Sequence, residues 1–182
     1  MTSTSDDTVD PTREHHISDH IAVTANAADA PAYWFLDILW IILVDGADTG
    51  GRYCVMEQLM PHGAGPTPHV HPFGDEYFYV LDGAMRMQIG GQTIDATSHG
   101  SVWVPRGTVH SFRVTAPTCR VINTFAPAGM EQVIKAVARP AERRELPPPG
   151  LDTNPEVIGA FANNYWGVED KWDFARPPWT DR

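Results

Sequence analysis

The sequence predicts an all-β protein built as a closed or two-sheet antiparallel barrel. Three observations lead there: short aromatic and β-branched segments follow one another from Ala32 to Phe125, Gly and Asp turn signals separate them at close intervals, and no helical periodicity intervenes. No internal repeat is visible, so there is one barrel set.

Residues 1–30 read as a flexible arm. They are Ser/Thr/Asp-rich without sustained periodicity to about Asn26, and His15, His16 and His20 in that stretch are read as solvated. The barrel is expected over residues 31–126. Ala32 to Val44 reads as one or two buried strands ending in the turn Asp45-Gly46, and a second turn, Asp48-Thr-Gly-Gly51, leads to a strand from Tyr53 to Met60. A Gly/Pro-rich approach, Pro61 to Pro68, precedes a strand carrying His69 and His71. Next comes Glu76 to Leu81, stopped by the hairpin signal Asp82-Gly83, and Ala84 to Ile89, closed by Gly90-Gly91. Gln92 to Ala96, Val102 to Val104, His110 to Val114 and Cys119 to Phe125 complete the set.

Alternation assigns the faces. With Glu76 inward, Phe78 and Val80 are inward too, and Met85, Met87 and Ile89 join them while Arg86 and Gln88 face out. The opposite face, Tyr77, Tyr79 and Leu81, is too hydrophobic for open water and calls for cover by a strand, the tail or a second subunit. Residues 127–182 are expected to form C-terminal helices and an aromatic tail packed on the barrel or on a second subunit. Met130, Val133, Ile134 and Val137 lie on one helical face and Pro140 ends that helix. Asn154-Pro155 opens another, and Tyr165, Trp166, Trp172, Phe174 and Trp179 fill the tail.

Bulk properties exclude several classes. The chain has 182 residues and a formal charge of −10, with no Lys/Arg cluster beyond Arg143-Arg144, which excludes a nucleic-acid footprint and favours a neutral or weakly polar small-molecule partner. Cys54 and Cys119 form no disulfide framework, the N-terminus has no apolar leader pattern, and the apolar run Ile38 to Val44 is too short to span a bilayer. The expectation is a cytoplasmic protein without membrane association, and the aromatic face and tail favour a homodimer.

The most informative stretch is Gly63-Ala-Gly-Pro-Thr-Pro-His69-Val-His71-Pro-Phe-Gly-Asp-Glu76, followed by Pro105-Arg-Gly107-Thr-Val-His110. Histidines two apart on an extended segment point the same way, and Glu76 can return to that side after a short bend. Gly63, Gly65, Pro66 and Pro68 stiffen the approach, and Gly107 supplies the turn that delivers His110. His69, His71, Glu76 and His110 can then converge on one ion. Three nitrogens and one carboxylate suit a first-row divalent metal, while magnesium and calcium call for oxygen-dominated sets. Without a metal, these buried groups would lose roughly 1–3 kcal/mol for each left unpaired. Trp40, Tyr53, Gln58, Trp103 and Asn123 are further candidates for the interior whose parity alternation does not settle, and none is assigned to the site. His62 and His99 read as surface groups.

These residues resemble the two motifs of the cupin superfamily. Gly63, His69, His71, Glu76 and Gly83 fill every position of the first. Gly100, Pro105, Gly107 and His110 fit the second with two departures: Gly100 lies one residue closer to the proline, and Val114 stands where Asn is expected. The flanks, from about Pro31 to about Glu169, resemble single-barrel proteins of the quercetin dioxygenase-like group. The resemblance implies a jelly-roll-like double-stranded β-helix holding one divalent transition metal (Fe, Mn, Ni, Co, Cu or Zn) on His69, His71, Glu76 and His110. It also implies that Glu76 takes a proton from an enol- or phenol-type substrate to which dioxygen is added. Phe78, Met85, Met87, Phe112 and Phe125 would form a dry wall around that substrate. Each alone is an ordinary core residue; together they describe an apolar pocket. One barrel hosts many chemistries, and two other classes stay open. One is a non-redox metal enzyme (isomerase, lyase or polyketide-type cyclase), and the other is a non-catalytic small-molecule-binding protein.

Overall fold

The computed structural model describes residues 22–149 and residue 151. The N-terminal segment through residue 21, the helix expected from Asn154 and the aromatic tail lie outside the described residues. Nine strands precede a helix: β1 Ala32–Phe35, β2 Ile38–Val44, β3 Cys54–Pro61, β4 Asp75–Asp82, β5 Ala84–Ile89, β6 Gln92–Thr97, β7 Ser101–Val104, β8 His110–Val114 and β9 Thr118–Ala126, then α1 Met130–Val137 and the two-residue β10 Arg139–Pro140. They form two antiparallel sheets facing each other. One has seven strands in the order β10-β1-β2-β3-β9-β4-β7, and the other has three in the order β6-β5-β8. This is the all-β barrel the alternation predicts.

The interior is filled by the inward members of these strands. Met56, Met60, Phe78, Val80, Met85, Met87, Val114, Cys119 and Val121 are all fully buried in one cluster; each large apolar side chain among them contributes roughly 1.5–3 kcal/mol by leaving water. Tyr77, on the opposite face of β4, is exposed, and Tyr79 and Leu81 are half-buried. A second cluster, Ala30, Ala32, Trp34, Leu39 and Ile41, lies on the outer face of β1 and β2, with Ala141 and Leu151 packed against it. The segment after β10 is fastened there: Trp34 Nε1 donates to the Glu145 carbonyl at 2.9 Å, and Arg144 donates to the carbonyls of Ala27 and Ala30. α1 presents Met130 and Ile134 to the core, and its buried Glu131 accepts from the backbone N–H of Gly129 and of Gly46.

Ala32 to Val44 forms two strands, one of the two readings its composition allows, divided at Leu36-Asp37, which both adopt left-handed backbone (φ 52 and 62) between the paired residues Phe35 and Ile38. This is the geometry of a type I′ hairpin turn, made without glycine. The helix spans its periodic residues, Met130 to Val137, and ends before Pro140: Ala138 is already extended and Pro140 pairs with Tyr33 in β10. Two local expectations change. His69 and His71 lie on no strand, because Pro66, Pro68 and Pro72 lack the N–H groups that a ladder needs. Asp82-Gly83 closes no hairpin. Both edges of β4 are taken, by β9 and β7, so the chain crosses at Gly83 to the other sheet, where β5 pairs with β6 and β8.

That crossing demands glycine. Gly83 has φ +87, and a Cβ there would sit 2.2 Å from the Thr118 carbonyl oxygen and 2.9 Å from Cys119 Cα, both backbone atoms of β9. Gly83→Ala is expected to lower stability by about 2–4 kcal/mol through backbone strain and displacement of β9. The measurement is the urea unfolding midpoint; a loss below about 0.5 kcal/mol would mean that the crossing tolerates a side chain after all.

Candidate metal centre

The approach loop is sewn to β8 before it reaches the histidines. Gly63 N–H donates to the Val114 carbonyl at 3.0 Å and Val114 N–H to the Ala64 carbonyl at 2.9 Å. Gly65 (φ +146) passes so close that a Cβ would stand 2.0 Å from the Phe112 carbonyl oxygen. His69 and His110 then exchange two backbone hydrogen bonds, N–H to carbonyl in both directions at 2.9 Å. Directly opposed residues of such a pair carry their side chains on the same face. The His71 carbonyl accepts from Gly107 N–H at 2.9 Å, which ties the third histidine to the turn before β8. Beside them, Arg106 grips Asp75 with both side-chain and backbone donors at 2.9–3.0 Å, joining that turn to the first residue of β4 and hence to Glu76.

His69, His71, Glu76 and His110 are all buried, and one ligand atom from each lies within 4.8 Å of the others. The imidazole centroids are 4.2–5.2 Å apart. Glu76 Oε2 lies 2.9 Å from His110 Nε2 and 3.4 Å from His71 Nε2, while Oε1 accepts from Asn123 Nδ2 at 2.8 Å. Phe125 meets the His71 ring edge-on. The chemistry of the set fits a first-row divalent ion. Nδ1 of His69 and of His110 each sits 2.9 Å from the carbonyl of the residue two before it, Thr67 and Thr108. Those carbonyls hold the proton on Nδ1 and turn Nε2 inward, the outer support that metal-ligating histidines require.

Burial, joined by the neighbouring imidazoles, lowers the His69 pKa to about 3, so its ring is neutral. Burial opposes ionisation of Glu76, but hydrogen bonds from His110 and His71 outweigh it and hold the carboxyl well below its usual range. Burial also works against a charged His110, and the bond to Glu76 outweighs that, raising its pKa.

His69, His71 and Glu76 line a cavity of about 330 Å³, and His110 is buried beside them. Phe112 and Phe125 line it, as do Trp40, Gln58, Asn123 and Met130. Phe78, Met85 and Met87 are fully buried in the core between the sheets and are not among the lining residues, because they sit deeper along the inward rows than the donors do. Tyr53 and Trp103 are exposed on the outer faces, and His62 and His99 are exposed as well. The signal that alternation alone leaves unread is polarity: Gln58 and Asn123 are buried amides on strands whose other inward residues are apolar.

Residues 55–125 match the family model described as a cupin domain. The barrel has the cupin fold. Over 111 residues, 61% of this chain, it is 29% identical to a quercetin 2,3-dioxygenase of Bacillus subtilis, of which the match covers 33%. Over 67 residues it is 31% identical to the tetracenomycin polyketide synthase protein TcmJ of Streptomyces glaucescens, covering 36% of this chain and 44% of that one. The chain thus spans less than half the length of both relatives. Among solved structures, an RmlC-like cupin from Shewanella frigidimarina superposes with a TM-score of 0.53 at 17% identity, over 62% of this chain and 96% of that one. This likeness supports the fold.

Two outcomes follow from the site. Asn123→Leu removes the donor that holds Glu76 and is expected to weaken metal retention by about 10–100-fold, measured by chelator competition. In chelator-treated protein, stability depends on pH through the same groups. Folding depresses the His69 pKa from 6.5 to about 3, so its contribution is full above 6.5 and is lost as pH falls toward 3. Glu76 adds a loss of the same sign below its unfolded value of 4.5. His110, with a raised value, contributes fully below 6.5 and fades as pH rises through its folded pKa. The urea midpoint should therefore drop between pH 6.5 and 3, and His69→Gln should flatten that slope.

Proposed function

We propose that this cupin is a metal-dependent dioxygenase of the quercetin 2,3-dioxygenase-like kind, acting on an enol- or phenol-type small molecule. The observation that carries this reading is the convergence of three imidazoles and one carboxylate beside a largely apolar cavity that His69, His71 and Glu76 line. The match to the Bacillus subtilis enzyme supports it. His69, His71, Glu76 and His110 would hold the ion. A bound first-row divalent metal would supply a Lewis-acidic centre, and a redox-active one could also mediate electron transfer to dioxygen.

The rest of the chemistry belongs to this chain. Glu76 is kept anionic by its imidazole neighbours and is pinned through Oε1 by Asn123, which leaves Oε2 facing the centre. In that position it receives the hydroxyl proton of the substrate. Trp40, Phe112 and Phe125 provide flat apolar walls that hold a planar ring system. The same proposal places the protein in the cytoplasm as a homodimer. Tyr77 and Trp103, paired across β4 and β7, present exposed aromatic surface, and Cys54 and Cys119 are free and buried. Among the described residues, no helix is long and apolar enough to cross a membrane.

The match to the polyketide synthase protein favours a second reading, a non-redox cyclase, isomerase or lyase in which the metal acts only as a Lewis acid. Elemental analysis joined to an oxygen electrode separates the two. Redox-active metal with oxygen uptake on a flavonol supports the dioxygenase, and zinc with no uptake supports the alternative. Under the first reading, Glu76→Gln is expected to reduce kcat by about 10²-fold or more while metal content stays within about twofold. Equal loss of both would assign the carboxylate a purely structural role.

A further inference from the structure

Two buried oxygen atoms in the cavity wall are left without a partner. Gln58 and Asn123 are each 1% exposed, and among the described residues no donor reaches Gln58 Oε1 or Asn123 Oδ1. Buried side-chain oxygens are rarely orphaned unless water or a ligand completes them. The orientation of Asn123 is settled by its neighbour: its Nδ2 donates to Glu76 Oε1, and the reverse orientation would set an oxygen against a carboxylate. Its Oδ1 is therefore an acceptor. The register places the two amides together. Gln58 on β3 pairs with Val121 on β9, and Asn123 lies two residues further along β9 on the same inward face.

The surrounding chemistry is one-sided. Among the described residues that line the cavity there is no Lys or Arg, and Asp37 stands among them as a further acceptor. The indole N–H of Trp40 is already spent on the Phe35 carbonyl at 3.1 Å. Apart from the metal cluster, then, the wall is mostly flat apolar surface and lacks a cation for an acidic ligand. A molecule that satisfies the two orphan oxygens must bring its own hydrogen-bond donors.

We propose that Gln58 and Asn123 are specificity-determining residues that accept hydrogen bonds from neutral donors on the substrate, two neighbouring ring hydroxyls separate from the group that reaches Glu76. The proposal rests on the substrate class given above and adds to it a required pair of donors and the residues that read them. A substrate with both hydroxyls satisfies the two orphan oxygens, one O–H proton to each. An analogue without them leaves the oxygens buried and unpaired, and a site built around a hydroxyl discriminates strongly against the molecule that lacks it.

The test uses two flavonols that share the enol hydroxyl: quercetin, which carries further ring hydroxyls, and 3-hydroxyflavone, which has none. Binding of each to the as-isolated, metal-containing protein is measured anaerobically by tryptophan quenching, so that no turnover intervenes. Wild-type protein is expected to prefer quercetin by about tenfold or more, and Gln58→Met, which keeps length but has no oxygen, to shrink that preference to about twofold, consistent with the loss of a neutral hydrogen bond. Gln58→Leu gives the same comparison in a branched side chain. A wild-type protein without the preference overturns the proposal whatever the variants do, and so does a preference that survives in a folded, metal-replete Gln58 variant. Oxygen uptake is scored separately. Hydroxyl-dependent binding without oxygen uptake upholds this inference and removes the dioxygenase reading. Equal binding and equal oxygen uptake on both flavonols upholds that reading and removes this inference.

Discussion

The reciprocal backbone bond between His69 and His110 is the constraint on which the centre depends. One residue belongs to a proline-rich loop that cannot pair along its length, and the other opens β8. Two hydrogen bonds, each worth only about 1 kcal/mol net, fix the separation of these residues and turn both imidazoles to one side. His71 follows two residues later, and Glu76 meets all three from the opposing sheet. The cluster is therefore assembled between the sheets, with the loop acting as a bridge from one to the other.

Polar groups gathered in an apolar interior are costly unless they satisfy one another. Here most of that cost is offset locally: Thr67 and Thr108 supply carbonyls to two rings, Asn123 supplies an amide to the carboxylate, and the carboxylate answers the imidazoles. The arrangement also explains why the Nε2 atoms point inward rather than toward solvent. A rigid orienting frame of this kind limits the reorganisation that an incoming cation must impose.

Much of this is legible in the sequence. The strands β5 to β8 show in the spacing of Gly turns, and inward assignments such as Phe78, Val80, Met85 and Met87 follow from a period of two. The four donors are legible because their residue types and intervals have no ordinary packing explanation as a group. Other features are set by distant partners and leave weaker local marks. Asp82-Gly83 has the composition of a hairpin, yet the occupied edges of β4 turn it into a crossing between sheets. Leu36-Asp37 lacks the usual glycine, and the pairing of β1 with β10 and of β2 with β3 holds the hairpin and overrides propensity there. Trp40, Gln58 and Asn123 escape parity because β2 carries a register irregularity after Ile42, and because a lone buried amide does not disclose which face it occupies.

The Leu36-Asp37 turn has a broader consequence. It borders the cavity, yet it is only two residues long and hangs from strands whose alignment is secured on both sides. Exchanging the exposed Asp37 side chain would reshape the doorway while leaving the hearth of the barrel untouched, whereas Leu36 packs against that hearth. Descendants of such a scaffold can thus acquire new appetites by altering one solvent-edge position, with no renegotiation of the sheets beneath.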